Sequence, residues 1–267
     1  MIYSYTQIAN FLACPRRYSF RYVQGWSERD TRAGLLFGRA FENALAALFR
    51  REDPGAALFR EWSAYQDCKL DYSRGDSWRK MYDQGVKLLE MFVQEDRVEI
   101  RRPKRNLQVR VSKALSSTSQ FVGYIDAYGF LDGTRCLIDW KTTTARYTEE
   151  PQGLLALDPQ LVGYSWLTGE PAVAFVVFVR KRALEIQYLR TSVSEDRRRE
   201  FGELVRDSVA QIEAAQFLPH AGIRYPQNPC TSCAYVGLCL NNQQLIEHRL
   251  TRSSRGTDCA WLDQLAA

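Results

Sequence analysis

The chain has 267 residues, with 36 Lys and Arg against 31 Asp and Glu, 45% hydrophobic and 25% charged residues. This is the balance of a globular protein large enough to bury a core, and no repeat or low-complexity segment interrupts it. No apolar run reaches the roughly eighteen residues of a membrane-spanning helix. The start, Met1-Ile2-Tyr3-Ser4-Tyr5, lacks a basic and apolar leader, so a cytoplasmic protein without a membrane partner is expected.

Ser4 is placed to cap a first helix through Ile8, Phe11 and Leu12, and Pro15 should interrupt it. Arg16-Arg17-Tyr18-Ser19-Phe20-Arg21-Tyr22 continues as basic, aromatic helical turns. Apolar residues at helical spacing predict further helices over 34–50, 56–66 and 77–96. Residues 1–97 therefore read as a helical N-terminal region.

Strand patterns follow at 98–101, 107–111, 120–131 and 135–141, with Asp132-Gly133 as a hairpin signal between the last two. A polar stretch over 142–153 precedes a helix at 159–167 that carries Gln160 and Tyr164. Strands resume at 172–179 and 184–189. Ser192 or Ser194 can then cap a long helix to about residue 216. Residues 98–216 thus form the core of an α/β or α+β domain with helices on its flanks. A cysteine-bearing cap and tail occupy 217–267.

Charged groups concentrate at two kinds of place. Arginines and lysines cluster at 16–22, 101–105, 180–182 and 197–199. Such groups usually mark solvated surface, yet four in one chain, one interleaved with rings, favour a nucleic-acid partner. The second place is Gly123-Tyr124-Ile125-Asp126 with Ile138-Asp139-Trp140-Lys141. Asp139 and Lys141 leave the same face of a strand, among apolar neighbours. Paired acids in such a setting are costly unless a cation or phosphate completes the site. Asp126 and Asp139 supply hard oxygen donors suited to Mg²⁺ or Mn²⁺, and the Trp140 carbonyl is a further donor. Glu42, in Gly38-Arg39-Ala40-Phe41-Glu42, is a third candidate carboxylate. A bare Asp-x-Lys triplet is more often a same-face ion pair on a sheet edge, so the other motifs carry the case.

Taken in order, Gly38 to Glu42, Gly123 to Asp126, Ile138 to Lys141 and Gln160-Leu161-Val162-Gly163-Tyr164 resemble the RecB-like branch of the PD-(D/E)XK nucleases over nearly the whole chain. The resemblance implies a restriction-endonuclease-like α/β fold, a central mixed sheet flanked by helices. It implies a Mg²⁺- or Mn²⁺-dependent deoxyribonuclease in which Asp126, Asp139 and Lys141 are catalytic. Glu42, Asp126, Asp139 and the Trp140 carbonyl would hold the ion, and Gln160 and Tyr164 would support the site and contact DNA. The branch usually has histidine where this chain has Glu42, and neither His220 nor His248 lies near a matching motif. Arg17 and Arg21 are further candidates for DNA contacts.

Seven cysteines without a secretion signal argue against a disulfide framework. Cys230-x₂-Cys233-x₅-Cys239 is a metal-ligand run that zinc or an iron–sulfur cluster could use. Cys14 is the remaining suitable ligand. That one-plus-three pattern is similar to AddB-type nuclease domains and CRISPR-associated RecB-like exonucleases, and it implies a [4Fe–4S] cluster on Cys14, Cys230, Cys233 and Cys239, with a structural role.

The expected activity is an exonuclease acting on single-stranded or end-containing DNA in repair, recombination or phage and plasmid processing. A spacer-acquisition nuclease working with an integrase and a silent DNA-binding module are the alternatives. No phosphate-binding loop of an ATPase occurs, so any ATP dependence would come from a helicase partner. A homo-oligomer, cleavage polarity and strand preference are left open.

Overall fold

The computed structural model describes residues 1–151, 153–219 and 229–252. Most of the loop expected between Pro219 and Pro229, with His220, lies outside the described residues, as do the tail from Ser253 and Cys259. The chain forms two compact units: Met1–Ile2 with Arg32–Glu203, and Tyr3–Thr31 with Leu204–Ala267.

In chain order, β1 (Ile2–Ser4) leads into α1 (Tyr5–Ala13), α2 (Pro15–Tyr18), a π-helical turn (Ser19–Val23) and β2 (Trp26–Glu28). The Ser4 hydroxyl accepts from the Gln7 N–H at 3.4 Å, as a cap should. Cys14 is extended between α1 and α2, because Pro15 cannot continue the first helix and instead opens the second.

The larger unit begins with α3 (Ala33–Phe49), α4 (Pro54–Ser63), capped by Asp53, and α5 (Trp78–Glu95), capped by Ser77. Strands β3 (Val98–Glu99) and β4 (Leu107–Ala114), with the short α6 (Pro103–Asn106) between them, lead to β5 (Gln120–Leu131) and β6 (Thr134–Thr143). The α7 helix (Pro159–Thr168) joins β6 to β7 (Ala172–Val179), which turns back into β8 (Glu185–Ser192). The α8 helix (Glu195–Glu213) starts on the Ser194 hydroxyl, which accepts from the Arg197 N–H at 3.3 Å. The smaller unit closes with α9 (Val236–Cys239), α10 (Gln243–Arg249) and β9 (Leu250–Arg252), and β9 pairs antiparallel with β2.

The sheet of the larger unit is mixed, with the order β5-β6-β7-β8 and with β3 and β4 on the other side of β5. Asp132 and Gly133 both have positive φ, 49° and 74°, which is the type I′ hairpin their sequence specifies. The β6 and β7 strands run parallel, Asp139 opposite Phe175 and Lys141 opposite Val177, with α7 as the crossover. Behind the sheet, Trp140 meets Phe49 and Phe92 at 6.1 and 5.9 Å, and Phe178 meets Phe41 at 4.7 Å. These contacts fix α3 and α5 on one face. This is the mixed sheet flanked by helices that the sequence predicts.

Candidate active site

The pairing of β5 with β6 runs from Leu131–Thr134 to Ala127–Ile138 and stops. The next opposed residues are Asp126 and Asp139, and both carboxylates leave the same face. Like charges directly opposite on neighbouring strands repel, so the ladder ends where the two acids meet. The Trp140 N–H, released from a strand partner, donates to Asp126 Oδ2 at 2.8 Å.

Asp139 is held from two sides. Its Oδ2 lies 2.7 Å from Lys141 Nζ. Its Oδ1 accepts from Gln160 Nε2 at 3.0 Å and from the Tyr164 hydroxyl at 3.2 Å. Gln160 also accepts from Lys141 Nζ at 2.8 Å through Oε1 and donates to the Tyr164 oxygen at 2.8 Å. An amide can do this because it carries an acceptor for the ammonium and two donors for the oxygens. One helical turn separates Gln160 from Tyr164, so α7 presents both to the same acid. The Asp158 carboxylate caps α7 by accepting from the Gln160 and Leu161 N–H groups, both at 3.0 Å, with Pro159 in the first turn and Gly169 past the end.

Glu42 comes from α3, one turn after Gly38. A Cβ on Gly38 would stand 3.3 Å from the Thr142 hydroxyl, so glycine lets α3 cross close to the end of β6. Glu42 Oε1 accepts from Gln108 Nε2 at 3.0 Å, and Asn43 Oδ1 accepts from the same nitrogen at 3.1 Å.

Burial pushes the Asp126 carboxyl well above its ordinary range, and Asp139 and Glu42 push it further. Burial likewise raises Glu42, with Asp139 adding to the rise while Gln108, Lys141 and Arg39 oppose it. For Lys141, burial opposes the charge, but Asp139 and Asp126 outweigh it and hold the ammonium protonated. Burial and the two aspartates keep Tyr164 a neutral phenol, a donor to Asp139. Three carboxylates thus share one ammonium, and Arg39 also acts on Glu42. An all-oxygen, negatively charged donor set of this kind suits a hard divalent cation. Among the described residues, no three His, Cys, Asp or Glu side chains are arranged to hold a metal ion as they stand.

Comparison with known proteins decides the family. The model of the PD-(D/E)XK nuclease superfamily matches residues 2–240. The chain belongs to the PD-(D/E)XK nuclease superfamily. A solved structure named "Putative exonuclease", from Eubacterium rectale, is similar at a TM-score of 0.50 and 12% identity, covering 90% of this chain and 87% of its own. A second, SSO0001, is similar at a TM-score of 0.32 and 12% identity over 74% of this chain and 80% of its own. None of the curated proteins matches. A likeness at such identity concerns the fold alone, the restriction-endonuclease-like arrangement of a mixed sheet between helices.

In this nuclease the larger unit gathers Glu42, Asp126, Asp139, Lys141, Gln160 and Tyr164. It adds residues that sequence patterns did not single out. Gln108 holds Glu42 from a left-handed backbone position, φ 51°, at the start of β4. Tyr147 packs on Phe175 at 5.7 Å, and burial, partly offset by Lys141, raises its phenol. Gln187 fixes that loop, accepting from the Tyr147 N–H at 2.9 Å and donating to its carbonyl at 3.1 Å. Only the Pro159 helix start pointed toward Asp158, and nothing pointed to Gln108 or Gln187.

The basic groups behave differently from one another. Arg180 is 7% exposed, pairs with Asp76 at 3.3 Å and lies over the Phe37 ring at 5.0 Å. It is a buried anchor, not a nucleic-acid contact. Arg197 pairs with Glu200 at 3.0 Å and Arg199 with Asp196 at 2.8 Å, so α8 neutralises much of its own charge.

The smaller unit holds Cys14, Cys230, Cys233 and Cys239 together with Arg17 and Arg21. Burial raises the Cys233 thiol, and Cys230 and Cys14 add to the rise against Arg17. Cys239 is raised by burial too, with Cys233, Cys14 and Cys230 opposing the relief from Arg16. The four sulfurs therefore lie within electrostatic reach of one another, although among the described residues they are not arranged to hold a metal ion as they stand. Arg21 lies over the Tyr22 ring at 5.3 Å, and burial raises the Tyr235 phenol while the charge and hydrogen bond of Arg21 oppose the rise.

Proposed function

We propose that the chain is a Mg²⁺- or Mn²⁺-dependent deoxyribonuclease that removes nucleotides from single-stranded or end-containing DNA. The observation that carries this reading is the parting of β5 and β6 at Asp126 and Asp139, with Lys141, Gln160 and Glu42 converging there. The name of the Eubacterium rectale structure supports the exonuclease form of the activity. Glu42, Asp126, Asp139 and the Trp140 carbonyl would hold the ion. When bound, a divalent ion supplies Lewis-acid polarisation of the phosphodiester and lowers the pKa of an attacking water.

The chain's own residues do the rest. Lys141 offers a protonated ammonium to the charge that grows on the phosphate oxygens. Gln160 fixes that ammonium and Asp139 relative to each other, within a few tenths of an ångström of ideal hydrogen-bond length. Tyr164 keeps the Asp139 carboxylate oriented. The test is cleavage of 5′- and 3′-labelled single- and double-stranded DNA with Mn²⁺. Wild type should cut, and Asp139→Ala and Lys141→Ala should lose at least two orders of magnitude. Equal cutting by wild type and Asp139→Ala would overturn the assignment.

We further infer that Cys14, Cys230, Cys233 and Cys239 ligate a [4Fe–4S] cluster, zinc being the competitor. Four cysteines within electrostatic reach of one another support it, and Arg17 beside Cys233 and Arg16 beside Cys239 oppose the upward push of burial, as cations do for the thiolates a cluster needs. Joining residue 14 to residues 230–239 would close a long loop and stabilise the smaller unit. Protein purified anaerobically should be brown, with broad absorption near ~400 nm from sulfur-to-iron charge transfer. Cys233→Ala should be colourless, and a colourless wild type with stoichiometric zinc would refute the cluster.

A further inference from the structure

The basic run Arg180-Lys181-Arg182 is split by the fold. Arg180 turns inward to Asp76, while Lys181 and Arg182 stay exposed on the turn between β7 and β8. That turn forms one wall of a cleft of about 390 Å³ whose other wall is α5 from Arg79 to Lys87. Its cations are Arg79, Lys80, Lys87, Lys181 and Arg182, and its one lining carboxylate is Asp83.

The charges are unevenly spent. Arg79 pairs with Asp83 at 3.1 Å. Lys80 donates to the Gly75 carbonyl at 2.7 Å and lies 3.7 Å from Asp76, a carboxylate that Arg180 already shares. Lys87, Lys181 and Arg182 pair with no acid among the described residues. Three unneutralised cations lining one cleft make a local positive field that attracts phosphate.

The cleft is built and it is placed. Gln84 Nε2 donates to the Lys181 carbonyl at 3.1 Å, which ties the turn to α5. The Arg180 N–H donates to the Thr143 carbonyl at 2.7 Å, which ties the same turn to the end of β6. Thr143 is two residues beyond Lys141, about 7 Å along a strand. Because β6 and β7 are parallel, the turn after β7 lies at the carboxyl end of the pair, two residue positions past Lys141.

We propose that this cleft grips the phosphates of the DNA strand that flank the scissile one, through Lys87, Lys181 and Arg182. The inference rests on the nuclease reading and adds a second contact region to it. It also explains why Arg180 is buried: its pair with Asp76 anchors the turn that presents its two neighbours.

The test measures binding of a fluorescein-labelled single-stranded oligonucleotide to the full chain in EDTA, by anisotropy, across a salt series. Each lost phosphate contact on a single strand lowers the slope of log K against log salt by about 0.7. Replacing Lys87, Lys181 and Arg182 with glutamine should therefore lower the slope by about 2 and weaken binding at least tenfold, with an unchanged melting temperature. Replacing the self-paired Arg197 and Arg199 with glutamine should leave the slope within about 0.5 of wild type. An unchanged slope in the triple variant, from a wild type that binds and cuts DNA, overturns the cleft and spares the nuclease reading. A wild type that neither binds nor cuts DNA overturns both.

Discussion

Asp126→Asn should stabilise the protein in EDTA while destroying its activity. In the folded chain this carboxylate is 9% exposed, receives one hydrogen bond, from the Trp140 N–H, and faces Asp139 across the strand gap. An asparagine oxygen accepts the same hydrogen bond without the charge. The substitution removes one like-charge contact and one buried ion, and relief of strain of this kind at a functional site is worth about 1–2 kcal/mol. For a unit of this size that is about 2–8 °C in melting temperature. Asp139→Asn is the internal control and should move the other way. It strips Lys141 of its 2.7 Å partner, and the Lys141 side chain is only 24% exposed. Leaving a largely buried charge unpaired costs about 3–5 kcal/mol, less here because Lys141 keeps Gln160 and partial solvent.

The pH dependence gives a second reading of the same physics. The folded Asp126 carboxyl has a pKa above its unfolded value, so between the two the folded state binds more protons. Stability in EDTA therefore falls as pH rises from the ordinary carboxylate range through the raised folded pKa. Asp126→Asn should flatten that decline. The assay is thermal melting in EDTA at a series of pH values. If Asp126→Asn and Asp139→Asn lower the melting temperature by the same amount, the distinction between a repelled and a supported acid is wrong.

Three other outcomes follow from the same contacts. Gln160→Glu places a carboxylate where Asp139 Oδ1 lies 3.0 Å from the amide nitrogen, so cleavage should drop at least tenfold at pH 8 and recover partly at pH 6, whereas Gln160→Ala should show no recovery. Glu42→His should shift the preference from Mg²⁺ toward Mn²⁺, read as the ratio of cleavage rates with the two ions, since imidazole is the softer ligand. Asp158→Ala removes a cap that accepts two backbone N–H groups, and should cost about 1 kcal/mol by denaturant melting while lowering kcat, because α7 carries Gln160 and Tyr164.

Local chemistry made much of this molecule legible. The β5–β6 hairpin follows from period-two apolar residues around Asp132-Gly133, and its turn has the two positive φ values that pair predicts. Ser4, Ser77 and Pro15 set helix boundaries through their own side chains and backbone, so those boundaries fall where expected. Lys141 and Asp139 could be put on one face by spacing alone. What escaped was non-local. Gln108 reaches Glu42 across 66 positions, and Arg180 finds Asp76 across 104, neither of which any periodicity encodes. Arg180 is the instructive case. A run of three basic residues reads as surface, yet a strand end directs its first side chain inward and the turn directs the next two outward.

The same residue type does two different jobs across the strand gap, and the backbone decides which. Asp139 sits on the strand that stays paired with β7, so α7 packs against it and delivers two side-chain donors, while Lys141 follows on the same face. Asp126 sits on the strand that has lost its β6 neighbour, and among the described residues only the Trp140 N–H donates to it. Its own strand is paired with β4 on either side of it, Leu107 opposite Ala127 and Val109 opposite Ile125, and its side chain is buried. The fold thus holds one acid by contacts and the other by confinement. A confined, poorly supported carboxylate is the position where binding a cation gains most, because the cation relieves a cost that folding has already imposed. By this reasoning the charge demand of the site is greatest at Asp126, and the geometry of the site is set at Asp139.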